Sequence, residues 1–568
     1  MSSTTAETKD HQAFVALAAL AVLCSFILFH DLGGPALVEP DEGRNAEVAR
    51  EILLLGDWVT PHYDFIPYLD KPMFFFSLAA GAYKLFGISE FSARLPAALA
   101  GLGCVLLVLD LGRRFSGPWA ALWSGLVLAT CPIFMAFSRA VIFDMPLSFF
   151  ITLALWAFAR GNAADANAAG RFYLIMYIAA AAAVLTKGPI GVAIPVLVIG
   201  PYLLVRRKPA LRGMKPLQGA ALLLLIAAPW YLWAEAHNPD YLRYFFFEEN
   251  FLRYLTPQFD RGQPWYFYLE VFAVGFLPWT AVLQLPFTRA PALKQDGRLL
   301  LVLWTVVPFI FFSFSAAKQP GYVLPAFPPL ALLVGTAIAN ALQAASPRMR
   351  RPLAVPWIVL FLAAGSFTLV LFAPSLAPPG AAAGVSSVLT PSSTLIIPAL
   401  LVSLLAATAA SVWASPPKYY VTSCIVFCVL HLFAMGIFDR IAKSRSSKEL
   451  AQKTMRLIQS GDQVVVYNDY LSSLPFYLRS EKPLWVVVPE RPNVIMGSHY
   501  MAEKKPRPSR GSGEPVLSFD KFAAVWEHAP ARLIVFVQEK KLPKLVANIG
   551  REPKRLLTVG DIAVVTNQ

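Results

Sequence analysis

Apolar runs long enough to cross a bilayer recur from one end of the chain to the other, and they constrain the fold more than any other feature. "AFVALAALAVLCSFILF", from Ala13, carries no charge, and similar runs follow near 92–110, 118–137, 142–159, 172–186, 188–205, 216–234, 266–287, 299–316, 322–343, 353–373, 394–414 and 419–438. In hydrocarbon every backbone polar group must be paired within the segment, so each run reads as a helix, and roughly 20 residues make a crossing. The expected fold class is therefore a polytopic α-helical membrane protein with about thirteen transmembrane helices. The first run is read as a retained helix and not a removed signal peptide. "MFFFSLAAGAYKLFG", at 73–87, is short and is expected to pack in the interface or against other helices. With 57% hydrophobic and 15% charged residues, the chain is too apolar for an ordinary soluble domain.

Charge placement gives an orientation. The loops "LGRRFSG", "RRKPALRGMK" and "PRMRRP" are basic and fall on one side if the amino terminus is cytoplasmic. Basic loops are retained in the cytoplasm, which also accounts for the net charge of +14 without any nucleic-acid partner. An odd number of spans then places residues 441–568 outside, together with a first external loop at 31–91. All five cysteines lie in apolar runs, so neither a disulfide framework nor a thiolate metal site is expected in the polar part.

Within the external loop, "GRNAEVAREILLLGDW" has Val48, Ile52 and Leu55 on one side and Arg44, Glu47 and Glu51 elsewhere. This periodicity predicts an amphipathic helix along the membrane surface, with Asp41 near its start, where the helix dipole favours an acid. Residues 441–568 change character. "DQVVVYN", "PLWVVVP", "RLIVFVQ" and "DIAVVTN" read as buried strands, while "SSKELAQKTMRLIQS", "SFDKFAAVWEHA" and "KLPKLVANIG" read as helices. Their alternation predicts a C-terminal α/β domain, with "AEKKPRPSRGSGEP" as a mobile loop. The expected division is a membrane domain at 1–440 and an external α/β domain at 441–568.

Ionisable residues at span ends form six groups, all external in this orientation. They are Glu39, Asp41, Glu42 and Arg44; Tyr68, Asp70 and Lys71; Arg139 and Asp144; Lys187; Glu249, Asn250, Arg253, Asp260 and Arg261; and Lys318 with Tyr322. A single charge at a helix end commonly snorkels and does nothing more. Arg139 in particular reads as structural, paired with a carboxylate. Six groups on one face point instead to a polar cavity. Lysine and arginine beside a membrane suit a phosphate headgroup, and carboxylates suit sugar hydroxyls, a nucleophile's proton or a metal ion.

The combination "EPDEGRNAEVAREIL", "YLDKP", "FSARLPAAL", "FDMPLSFF", "TKGPIG", "ENFLRYL", "GFLPW" and "FSAAKQPGYVLPAFPPLALL" resembles, in order and spacing, the ArnT-like (GT83) branch of the protein-mannosyltransferase superfamily. These are membrane glycosyltransferases of the GT-C fold. The resemblance implies that Asp41 and Asp144 are the catalytic carboxylates. It implies that Lys71 holds the polyprenyl phosphate, with Arg44, Tyr68, Lys187 and Tyr322 as further donor contacts. Arg253 and Lys318 are added on charge. The histidine that family members often carry before the "PWY" segment is absent from "FDRGQPWYFY", while His499 and His528 are read as surface or loop residues. No metal ligands are therefore expected. No cofactor follows firmly, and a divalent metal stays open.

The implied reaction moves a sugar, 4-amino-4-deoxy-L-arabinose in the best-known members, from undecaprenyl phosphate to lipid A or a related cell-envelope glycolipid. Lys71 and Arg44 would stabilise the departing phosphate, and Asp41 would position or deprotonate the acceptor. The expected location is the bacterial inner membrane, multi-pass, with the active site and C-terminal domain periplasmic. Expected partners are the lipid-linked donor, the acceptor and membrane lipids. Two alternatives stand beside this reading: a related transferase acting on protein or another glycan, and a flippase without covalent chemistry. One-sided polar groups without an internal repeat suit a flippase poorly.

Overall fold

The computed structural model describes residues 2–206, 213–256, 262–283, 295–343, 350–372, 391–489, 494–509, 514–529 and 531–568. Asp260, Arg261 and parts of two basic loops, 207–212 and 344–349, lie outside the described residues. The chain divides into two compact units. The first comprises Met1–Leu32, Arg94–Pro229 and Asn250–Arg440; the second comprises Gly33–Ala93, Trp230–Glu249 and Ile441–Gln568.

The first unit is built from the apolar runs. Every run carries helix, from Ser2–Phe29 to Pro416–Ser444. Among the described residues, 6 helices are long and apolar enough to cross a membrane, and a pair bent by 68°, Pro118–Ala129 with Pro132–Ser138, makes a seventh if it is one span. The remaining runs form helices that fall short of that test. One of them, 266–287, is only a short helix, Phe267–Gly275, followed by a 3-10 turn at Trp279–Val282. A count of thirteen therefore does not follow from helix length alone.

Buried tryptophans tie the helices together. Trp279 donates to the Thr130 hydroxyl at 2.9 Å, Trp304 to the Pro325 carbonyl at 2.9 Å and Trp357 to the Tyr419 hydroxyl at 2.8 Å. Each thus buries a large ring without stranding its N–H. Arg139 is structural, as expected, but its hydrogen-bond partners are not carboxylates: it donates to the carbonyls of Ile27 at 2.8 Å and His30 at 2.7 Å. Arg94 donates to the Leu32 carbonyl at 3.0 Å. Ile27 lies in the last turn of the first helix, where carbonyls lack intrahelical donors, and His30 and Leu32 follow just beyond it, so the two guanidinium groups supply donors at and after that helix end.

The second unit centres on a sheet. A two-residue ladder pairs β1 (His62–Tyr63) with β2 (Ile66–Pro67). The sheet itself contains β3 (Gln463–Tyr467), β4 (Trp485–Val488), β5 (Val516–Ser518), β6 (Leu533–Gln538), β7 (Lys554–Val559) and β8 (Ile562–Thr566). Their order is β5-β4-β3-β6-β8-β7. The first four are parallel; β8 pairs antiparallel with β6, and β7 pairs antiparallel with β8. Helices cover both faces of the central strands, which is why β3 and β6 are continuous apolar runs. Val464, Val466 and Phe536 pack with Leu450 and Leu474 on one face, and Val465 and Val535 pack with Phe522, Trp526 and Leu545 on the other. The four expected strands are present. Two more complete the sheet: short β5, and β7, whose exposed Lys554 and Arg555 protect a sheet edge.

The predicted helix at Asp41 spans Asp41–Leu55, but it is not a surface helix. Glu42 through Ile52 are all buried, and Glu47 and Glu51 are fully so. Its charged face has partners instead of solvent. Arg50 forms two 2.7 Å contacts with Glu47 and donates to the Ser480 carbonyl at 2.6 Å. Glu51 accepts the Phe65 N–H at 2.9 Å. The helix Phe74–Phe86 packs on it through a Tyr83 hydroxyl bond to the Ala46 carbonyl at 3.1 Å, so this short apolar run makes a packing contact of the expected kind. The stretch read as a mobile loop is partly anchored: Ser509 N–H donates to the Phe65 carbonyl at 2.7 Å, and its hydroxyl lies 2.6 Å from His62 Nε2.

Candidate active site

Each unit brings together its own set of predicted residues. In the second unit, the chain enters the Asp41 helix through Glu39, whose carboxylate accepts the Ser473 N–H at 3.1 Å and the Ser473 hydroxyl at 2.7 Å. The Ser447 hydroxyl bonds the same oxygen. Val38 N–H donates to Glu42 at 3.0 Å, satisfying a backbone group just before the helix. Asp41 is then held at a helix start with its side chain 43% exposed. Arg44, one turn on, is buried and paired to Asp41, with its guanidinium carbon 5.7 Å from the Tyr68 ring centre. Tyr68 is itself buried, edge-on to Tyr63.

Asp70 and Lys71 follow. Lys71 Nζ sits 2.5 Å from Glu249 and 2.7 Å from the Asp70 carbonyl. It does not snorkel: its side chain is 17% exposed and that of Glu249 is 2% exposed. Glu249 lies on a π-helical turn, Arg243–Leu252, a geometry that frequently marks functional sites. Asp70 Oδ1 accepts from the Tyr244 hydroxyl and, at 3.4 Å, from Tyr500 N–H. Its Oδ2 is buried without a hydrogen-bond partner among the described residues. Burial, and then the Glu249 charge, push the Asp70 carboxyl above its ordinary range.

In the first unit, Asp144 opens the helix Asp144–Ala163 and Lys187 closes the helix Ala166–Lys187, so each charge sits at the helix end that favours it. The two meet at 2.6 Å. Lys187 Nζ also lies 4.6 Å from the Tyr322 ring centre, a cation–π distance. Gly321, in the same 3-10 turn as Tyr322, backs onto Asp144: a Cβ there would lie 2.7 Å from its carboxyl carbon. Lys318 does not join this group; it donates to the Gln263 carbonyl at 3.1 Å. Arg253 is half-buried on the short helix Arg253–Leu255.

The sequence alone assigns no role to Glu249, Tyr244, Tyr500, Ser473 or Gly497. Glu249 stands among the polar groups. The rest carry no motif, and their roles come from contacts between distant parts of the chain. Among the described residues, no group of three or more His, Cys, Asp or Glu side chains is arranged to hold a metal ion.

Membrane helices, a charged loop and an α/β sheet define a multi-pass membrane protein with the organisation of the GT-C fold. Residues 70–233 match the family described as dolichyl-phosphate-mannose-protein mannosyltransferase. The crystal structure of ArnT from Cupriavidus metallidurans bound to undecaprenyl phosphate superposes with a TM-score of 0.82 at 25% identity, covering 97% of this chain and 98% of that one. The chain is ArnT-like in fold and in sequence. The undecaprenyl phosphate-alpha-4-amino-4-deoxy-L-arabinose arabinosyl transferase of Edwardsiella ictaluri is 34% identical over 322 residues, which are 56% of this chain and 58% of that protein. The protein of the same name from Pseudomonas aeruginosa strain LESB58 is 33% identical over 330 residues, 57% of this chain and 60% of that protein. The chain thus spans less than two thirds of the length of these curated relatives.

Proposed function

We propose that the chain is a membrane glycosyltransferase that moves a sugar from a polyprenyl phosphate to a cell-envelope acceptor. The observation that carries this reading is the Asp41–Arg44 pair: a partly exposed carboxylate joined to a buried guanidinium beside Tyr68. The names of the curated relatives and the undecaprenyl phosphate in the ArnT crystal structure support the donor class. The relatives' names also favour 4-amino-4-deoxy-L-arabinose as the sugar; lipid A or a related glycolipid is our proposal for the acceptor.

The reaction breaks the bond between the anomeric carbon and the donor phosphate oxygen, and forms one from that carbon to an acceptor oxygen, with inversion. The polyprenyl phosphate leaves with one more negative charge than it carried as a diester. Arg44 and Lys71 would stabilise that charge as it develops. Asp41 orients the acceptor or, for a hydroxyl, takes its proton. A phosphate acceptor is already anionic and needs little base. Within the first unit, Asp144 holds the Lys187 ammonium against the Tyr322 ring, a cation that would suit a lipid phosphate by itself. The proposed location is the bacterial inner membrane, with a cytoplasmic amino terminus and residues 441–568 as a periplasmic domain.

The test is incubation of purified protein with a polyprenyl-phosphate-linked sugar and candidate acceptors, read by mass spectrometry. A new glycosidic bond is expected. Movement of the intact lipid across a vesicle bilayer with no such bond would favour a flippase and overturn the proposal.

A further inference from the structure

In parallel α/β sheets, the loops that leave the carboxyl ends of the strands carry the ligand-binding positions. Here two such loops meet the chain's own first loop. After β3, Ser473 holds Glu39 and the Ser472 carbonyl accepts the Tyr63 hydroxyl at 3.2 Å. After β4, the chain makes a tight turn in which Ile495 and Ser498 exchange backbone bonds of 3.1 and 2.8 Å. The two central residues, Met496 and Gly497, have φ of 51° and 78°. This turn approaches Arg44 so closely that a Cβ on Gly497 would lie 2.5 Å from Arg44 Nη1. Two residues beyond Ser498, Tyr500 donates to Asp70.

We propose that Gly497 is a positioning residue: the Met496–Gly497 turn of the α/β domain sets where the Arg44 guanidinium sits, and glycine is required there to leave room for it. The inference rests on the reading of Arg44 as a donor-phosphate contact. The ordinary explanation is that a left-handed turn position simply favours glycine. The contact with Arg44 separates the two accounts. The atom in the way is the tip of a long side chain, so an added Cβ displaces the guanidinium more easily than it displaces the turn. Arg44 is buried and already tied to Asp41 and Tyr68, and a shifted guanidinium no longer presents the same face to a phosphate oxygen. Charge-assisted pairs with arginine depend on that geometry.

The experiment compares the full-length wild type, Gly497→Ala, Arg44→Ala, the double variant and Gly560→Ala. Gly560 also has a left-handed backbone, with φ of 60°, but a Cβ added there would meet nothing within 4 Å, so it isolates turn strain from contact. In transfer kinetics, Gly497→Ala should raise the donor KM by about tenfold, the effect of weakening one charge-assisted contact, and leave the acceptor KM near wild type. The same substitution in the Arg44→Ala background should add less than about twofold, because the group it acts through is gone. Gly560→Ala should lower Tm without altering the donor KM. An equal effect of Gly497→Ala in both backgrounds, or an equal loss in Gly560→Ala, would overturn the inference. Should Gly497→Ala fail to fold, recovery of folding in the double variant supports the contact; failure of both, with Gly560→Ala folded, reduces Gly497 to a turn residue. A wild type with no transferase activity would sink the functional reading alone, because binding of undecaprenyl phosphate by the same five proteins, followed by thermal shift, tests the positioning role without catalysis.

Discussion

Gly321 stands where any side chain would strike Asp144: a Cβ there would come within 2.7 Å of the Asp144 carboxyl carbon, 2.8 Å of its Oδ1 and 2.6 Å of the Phe137 ring. Lys187 bonds that same Oδ1 at 2.6 Å. Gly321→Ala should therefore push the carboxylate and disturb the ammonium it fixes. Transfer should fall by about ten- to a hundred-fold, the usual consequence of a small misplacement in a site that works by orientation. Steady-state kinetics on folded protein checks this, and an unimpaired Gly321→Ala would remove the Asp144–Lys187 pair from the catalytic account.

Lys71 has a structural and a chemical role to separate. Removing its ammonium takes the charge from beside buried Glu249, which should cost on the order of 2 kcal/mol and lower Tm. Lys71→Met combined with Glu249→Gln removes both charges and should restore Tm close to wild type. Donor KM should remain about ten- to a hundred-fold raised, as expected for the loss of one charge-assisted phosphate contact. Recovery of donor use along with stability would make Lys71 a packing residue.

Buried Asp64 predicts a pH dependence. Burial, opposed by the Leu484 N–H and reinforced by Glu47, raises its carboxyl well above the ordinary value. The folded state then binds the proton more tightly than the unfolded chain does. Its contribution is fully favourable below the unfolded value, about 3.9, and is lost as pH rises through the raised folded value. Asp64→Asn keeps an acceptor for Leu484 and abolishes the titration. Thermal unfolding in detergent across a pH series should show a smaller fall in Tm above pH about 4 for the variant than for the wild type. Identical pH profiles would contradict the assignment.

How much of this is legible in the sequence? The Asp41 helix is, because its apolar residues recur at helical spacing and its acid sits at the start. The burial of its charged face is not, because Ser480, the partner of Arg50, lies more than 400 residues away in the chain, as does Ser473, the partner of Glu39 just before the helix. Strands β3, β4, β6 and β8 show as apolar runs. β7 does not, since an edge strand with Lys554 and Arg555 reads as a polar segment. Asp144 and Lys187 are each visible at a helix end, but their pairing depends on how two helices meet. Gly497 sits in a stretch with no motif, and only its approach to Arg44 makes it more than a turn.

The central claim rests on Asp41, and one measurement tests it most directly. Purified wild type and Asp41→Asn are given a polyprenyl-phosphate-linked aminoarabinose and lipid A, and product is quantified by mass spectrometry with Tm recorded on the same samples. The substitution is nearly isosteric at a partly exposed side chain, so the fold should persist. The account predicts transfer by the wild type and a loss of roughly 100-fold or more in the variant at nearly unchanged Tm. Near-normal turnover by folded Asp41→Asn would contradict it.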